Sequence, residues 1–212
     1  MITGYASILF AALFLAILIL LHFLKPEIDP IWRMISEYEI GRYGWLMRVA
    51  FFCWGASVLT LLITIWPSLS GISGTIGRWW LGLIVIALFG AGIFKTNAIT
   101  DPTPSLINAM HTLCGAIVIL TFPIVATLVA HSLLKNNILV SVQGQLIIGT
   151  ILVWIGMIGY FASIIVSRMI NPSAERVGPE VYQGWPNRFL VVTYIIWLII
   201  VAANTIQMVT SG

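Results

Sequence analysis

Three side chains far apart in the sequence have the types needed for acyl transfer: Ser36 as a nucleophile, His111 as a base and Asp101 as the acid that orients it. No nucleophile elbow surrounds Ser36, and no spacing in the chain itself brings the three segments within hydrogen-bond reach. A metal would have to draw on His22, His111, Asp101 and Glu37, but the close ligand pairs of zinc sites, HxxxH or CxxC, do not occur. His22 and His111 are one isolated pair that a haem would need at matched helix ends. Neither a metal nor another cofactor is expected. The arginines offer different chemistry, because a planar guanidinium holds phosphate oxygens in pairs. Arg33, Arg42, Arg48 and Arg188 are therefore the candidate anion contacts, with Glu37, Tyr38, Asn108 and His111 completing a candidate binding set. Asn108, His111, Thr112 and Gly115 follow spacings of three and four, which puts them on one face of a helix.

The elements that must position these groups are set by composition. Of 212 residues, 60% are apolar and 8% charged, with a mean hydropathy of +1.05. A soluble domain is about 45–50% apolar and about 25% charged, and a disordered chain needs the opposite balance. Both are excluded, and a bilayer is the solvent that fits. A crossing helix needs roughly 20 apolar residues. Apolar runs predict six helices over about 5–24, 45–66, 78–94, 106–134, 145–167 and 189–208. None shows the period of two expected of a membrane barrel. The first run passes into His22, Lys25 and Glu27 without a cleavage pattern, so it reads as a retained helix. The expected architecture is all-α, a single six-helix transmembrane domain over 1–212. The net charge of +3 is dispersed, and no basic run suggests nucleic acid.

If six helices alternate in direction, the first, third and fifth connections emerge on one side. All seven acids fall there, with eight of the ten bases: Lys25, Arg33, Arg42, Arg48, Lys95, Arg168, Arg176 and Arg188. Only Arg78, Lys135 and His131 lie opposite. One face is a polar cap and the other nearly bare. The count of Lys and Arg places the cap in the cytoplasm.

Small residues supply packing signals. Gly149, Gly156 and Ser163 recur every seven residues in the fifth run, and Gly159 with Ser163 forms a small-xxx-small pair. Gly82, Gly90 and Gly92 are expected to serve the third helix in the same way. Pro123 marks a kink whose freed carbonyl a neighbour must satisfy, and the deep amide of Asn204 should turn inward to a partner.

The segment from Pro30 to Met47, with Ser36-Glu37-Tyr38 and Gly41-Arg-Tyr43-Gly44-Trp45 inside it, resembles the first-loop signature of the bacterial and archaeal membrane family called domain of unknown function 998. The stretches Phe94-Lys-Thr96-Asn-Ala-Ile-Thr-Asp101 followed by His111, and Gly184-Trp-Pro-Asn-Arg188 with Trp197 further on, agree with it. That family is similar in turn to the Frag, DRAM and Sfk group of six-helix proteins, some linked to lipid remodelling or distribution. The resemblance implies a six-helix bundle with a structured first loop, a prokaryotic plasma membrane and lipid handling. Its Frag-like side implies a first loop facing outward, opposite to the charge count, so both orientations stay open.

The preferred expectation is a non-enzymatic membrane protein whose cap binds a lipid head group or other amphiphile, with membrane lipid as its partner. The alternatives are a membrane-embedded lipid hydrolase or acyltransferase using Ser36, His111 and Asp101, and a small-solute transporter.

Overall fold

The computed structural model describes residues 1–135, 142–172 and 178–211. Six long helices account for most of it: α1 Ile2–Leu24, α2 Gly44–Ile65, α3 Gly71–Ile93, α4 Leu106–Leu134, α5 Gln143–Ile170 and α6 Gly184–Ser211. Two short 3-10 helices, Ile35–Glu39 and Trp66–Ser68, punctuate the connections, and no strand occurs among the described residues. All six long helices are long and apolar enough to cross a membrane. Leu9, Ile19, Phe23, Ile86, Ile148 and Ile158 point outward, each at least half exposed. Apolar surface of that extent needs lipid against it, and the chain is an integral membrane protein.

Each helix packs on its neighbours in sequence, α6 closes the ring against α1, and α2 reaches α6 across the middle. The α1–α2 pair is tied by Ser7 and Ser57, each hydroxyl donating 2.9 Å to the other residue's carbonyl. On α5, Gly156 admits the α6 backbone: a Cβ there would lie 3.1 Å from Leu190 Cα and 2.4 Å from Thr193 Oγ1. Gly149 meets Ile200 and Trp197 in the same seam. Gly90 and Gly92 are likewise close-packed, against Cys114 and Phe52. Gly82 and Gly159 are not packing positions, since a Cβ at either meets nothing within 4 Å among the described residues. Ser163 bonds back to Tyr160 O of its own helix (2.7 Å), so the pair with Gly159 joins no helices.

Two helices begin five or more residues earlier than the apolar runs suggest. α3 starts at Gly71, where φ is +68°, because the polar, glycine-rich turn before Trp79 is already helical. α6 starts at Gly184 and carries Pro186 in its first turn, where a missing N–H breaks no helical bond. This early start places Asn187 and Arg188 on a helix rather than in a loop. Asn204 is buried as expected, but its Nδ2 has no hydrogen-bond partner among the described residues.

Candidate functional site

The loop 25–43 folds back over the helix ends, and buried charge holds it there. Lys25, whose side chain is 1% exposed, donates to Tyr38 O (3.0 Å) and to Ile40 O, with Glu27 Oε1 3.7 Å away. Burial pushes its ammonium below the ordinary lysine value, and the Glu27 charge pulls it back. Glu37 is also buried. It pairs with Arg33 (Oε1 to Nη2, 2.8 Å) and accepts from the backbone N–H groups of Met34 (3.2 Å) and Ile99 (2.9 Å). Glu39 Oε2 accepts from Thr96 N at 3.1 Å. The two carboxylates therefore clamp the α3–α4 connection beneath the first loop.

The start of α6 supplies a second clamp. A Cβ at Gly184 would lie 2.3 Å from Pro30 O, and Gly184 N donates to Ile31 O (2.9 Å). Asn187 Oδ1 accepts from Ile35 N at 3.1 Å. Arg188, 3% exposed, donates to four groups: His22 Nε2 (3.0 Å), Arg33 O (2.7 Å), Gly184 O (3.0 Å) and Tyr38 Oη (2.9 Å). None of these is a carboxylate. The guanidinium also lies over the rings of Tyr38 and Trp185. His22 Nδ1 bonds Leu18 O at 3.0 Å, so Nδ1 carries the proton and Nε2 is the acceptor. With both nitrogens engaged, the His22 ring has no lone pair left for a haem or other metal.

Beneath this lid lies a cavity of about 350 Å³ between α2, α3, α4, α5 and α6. Its walls are mainly apolar, with Phe51, Leu88, Val118, Ile119 and Phe161 among them. Its polar atoms are few. Ser36 Oγ has no hydrogen-bond partner among the described residues. Trp54 also lines the cavity, but its Nε1 is buried away from the open space and has no partner among the described residues. His111 Nδ1 bonds Phe94 O (2.8 Å) and Ala91 O (3.1 Å), which are acceptors only. Nδ1 must therefore be the protonated nitrogen, leaving the Nε2 lone pair uncommitted.

A smaller notch of about 290 Å³ opens beside the cavity, lined by Glu39, Ile40, Gly41, Gly44, Trp45, Arg48, Lys95 and Thr96. Thr96 lines both spaces. The notch has little side-chain filling because Gly41 needs a positive φ of 73° and Gly44 lies under Glu39, where a Cβ would sit 1.8 Å from its carbonyl oxygen. Arg48 Nε donates to Gly92 O (3.1 Å) and lies 3.6 Å from Glu39 Oε1. Burial pushes the Glu39 carboxyl above its ordinary value, while the Thr96 N–H and the charges of Arg48 and Lys95 pull it down.

The structure brings Ser36 and His111 to one cavity, but it does not bring Asp101 there. Asp101 accepts from Thr103 N (3.0 Å) and Asn97 Nδ2 (2.6 Å) in its own loop, and these bonds hold its carboxyl below the ordinary value. The carboxylate nearest His111 Nδ1 is Glu39 Oε2, at 4.0 Å. Asn108 is committed to the same loop, accepting from Asn97 N (2.8 Å), while Ser105 caps α4 through Asn108 N (3.1 Å). Arg42 is exposed and stacks on Tyr43. Among the described residues no three His, Cys, Asp or Glu side chains gather as metal ligands, so His22, His111, Asp101 and Glu37 do not form one site. Glu175 and Arg176, expected on the polar face, lie outside the described residues. Sequence reasoning missed Glu39, Trp54, Lys95 and Asn187 as site residues. The available signal was Glu39 itself, an acid next but one to Glu37 and flanked by Tyr38 and Ile40.

Neither a curated protein nor a solved structure matches the chain. One family model does, described as "Protein of unknown function (DUF998)", over residues 8–204. That match spans nearly the whole bundle, including the first loop, both clamps and the cavity, and the chain belongs to the DUF998 family.

Proposed function

We propose that this protein binds an amphiphile in a prokaryotic plasma membrane, with the apolar part in the interhelical cavity and the polar end under the first loop. The observation that carries the reading is an apolar cavity of about 350 Å³ beneath the first loop, with Ser36, whose Oγ makes no hydrogen bond among the described residues, on its wall. A ligand with an apolar body and a hydroxyl or carbonyl would fill the apolar volume and pair with the Ser36 hydroxyl. The lining residues come from the polar half of each helix, which supports a blind pocket over a transport path. The arginines contribute less directly than their chemistry promises, since Arg33 is paired and Arg188 is used inside the protein.

The test is lipid retention. A Cβ at Gly115 meets nothing within 4 Å among the described residues, so Gly115→Leu fills the cavity without a backbone clash. Native mass spectrometry of gently purified protein should show co-purifying lipid in the parent and about tenfold less in Gly115→Leu, the equivalent of roughly 1.4 kcal/mol. Equal retention at equal thermal stability would overturn the reading.

A second reading, ester hydrolysis, is supported by Ser36 and His111 sharing a cavity, with Glu39 rather than Asp101 behind Nδ1. Ser36 Oγ and His111 Nε2 share no hydrogen bond, which favours binding over hydrolysis as the primary reading. Covalent labelling of Ser36 by a fluorophosphonate, abolished in His111→Gln, would reverse that preference.

A further inference from the structure

The notch contains an unusual arrangement: a buried carboxylate oxygen with no hydrogen-bond donor, facing two cations with spare donors. Glu39 is 8% exposed, and its Oε1 accepts no hydrogen bond among the described residues. Its nearest cation, Arg48 Nε, stands at 3.6 Å, beyond hydrogen-bond length, and spends its N–H on Gly92 O. The Arg48 Nη atoms make no hydrogen bond among the described residues, and its side chain is 37% exposed. Lys95 is exposed and has no hydrogen bond or ion pair among the described residues. These groups line about 290 Å³ at the start of α2 and the end of α3, with Trp45 61% exposed beside them. That is where a bilayer places its head groups, and an exposed tryptophan at a helix end fits the same depth.

The charges specify the ligand. A single carboxylate with a vacant acceptor calls for a compact cationic donor, and an arginine fork with a lysine calls for phosphate oxygens. A purely anionic head group would satisfy the bases but would bring negative charge up to Glu39 and leave Oε1 unfilled. We infer that the notch of Glu39, Arg48 and Lys95 binds a primary ammonium joined to a phosphate, as in an aminophospholipid head group or free O-phosphoethanolamine. In the bound state the Glu39 carboxylate turns into the notch so that Oε1 accepts from the ammonium, and the phosphate lies between Arg48 and Lys95. The inference deepens the amphiphile reading and rests on it only for the place of the acyl chain. Thr96, shared by notch and cavity, is where head and chain would diverge.

The experiment is competition by native mass spectrometry on the full-length protein, delipidated in detergent and offered equal dioleoyl phosphatidylethanolamine and dioleoyl phosphatidylglycerol. The ethanolamine lipid should be retained in excess by about tenfold, and Glu39→Gln should bring the ratio close to one, since a charged hydrogen bond is worth about that factor. Lys95→Ala alters an exposed side chain that makes no hydrogen bond or ion pair among the described residues, so it folds even if Glu39→Gln does not. It should weaken the ethanolamine lipid several-fold. O-phosphoethanolamine distinguishes the sources: saturable binding that Glu39→Gln abolishes makes the head group alone sufficient, while binding of the lipid only makes the bilayer the source. Gly115→Leu separates the two proposals, because it removes the chain pocket while O-phosphoethanolamine still reports on the notch. Equal or greater retention of phosphatidylglycerol by the parent, or a preference unchanged in Glu39→Gln and Lys95→Ala, would overturn the inference.

Discussion

Tyr194 on α6 donates its hydroxyl to Ile119 O on α4 at 2.8 Å, and Ile119 is the residue whose carbonyl Pro123, lacking an N–H, leaves free. The proline break and the tyrosine that repairs it form one device. Phe122 stacks on the same tyrosine with ring centroids 4.4 Å apart and meets Trp197 edge-on at 5.5 Å. Trp197 Nε1 then donates to Thr150 Oγ1 on α5 at 3.1 Å, so α4, α5 and α6 are joined through aromatic rings below the cavity.

Tyr194→Phe keeps the stack and deletes only the donor. It should lower stability by about 1–3 kcal/mol, the penalty for an unsatisfied buried acceptor. In a Pro123→Ala background the helix regains its own N–H for Ile119 O, and the same change should lose most of its effect. A double-mutant cycle on unfolding in detergent measures the coupling; additive effects would separate the two residues.

The helix count was legible because six apolar runs are each long enough to cross a bilayer, but the starts of α3 and α6 were not. Glycine and serine before Trp79, and Trp-Pro-Asn before Arg188, look like loop chemistry until a helix is built through them. The side bearing most of the charge could likewise be read from composition. How those charges pair could not, since His22 and Arg188 stand 166 residues apart and no local spacing encodes their contact. Asp101 illustrates the opposite error: its residue type suggested catalysis, but its own loop claims both oxygens.

The His22–Arg188 bond gives a test of the lid. His22→Gln keeps an acceptor and should be tolerated better than His22→Phe, which leaves the buried Arg188 Nε–H without a partner. His22→Phe should cost about 1–3 kcal/mol, read as earlier protease cleavage within 25–43. Equal cleavage in the two variants would mean that this bond does not hold the lid down.

Glycine positions on α5 separate packing from open surface. Gly156→Ala sets a Cβ 2.4 Å from Thr193 Oγ1 and 3.1 Å from the α6 backbone, so α5 must shift and stability should fall by about 1–3 kcal/mol. Gly159→Ala meets nothing within 4 Å among the described residues and should be neutral or gain up to about 1 kcal/mol from helix propensity. Thermal unfolding of the pair in one detergent checks both, and matching losses would show that Gly159 is a packing position after all.

Glu39 supplies a pH dependence whose sign follows from its burial. Its folded carboxyl titrates above the ordinary 4.5, so the folded protein holds that proton more tightly than the unfolded chain does. The resulting stability is fully present below 4.5 and is lost as pH rises through the folded value. The groups facing it are Arg48 on α2, Lys95 and the Thr96 N–H after α3, and His111 on α4. A His111→Gln control isolates the imidazole. Glu39→Gln is neutral at every pH. Its melting temperature relative to the parent should therefore rise between about pH 4 and about pH 7 in lipid-free detergent. Adding the ethanolamine lipid at about pH 7 should raise the parent more than the variant, because the ammonium compensates a charge that only the parent carries. A difference that stays flat with pH would mean that Glu39 is not under electrostatic strain, and would remove the energetic motive for a cation in the notch.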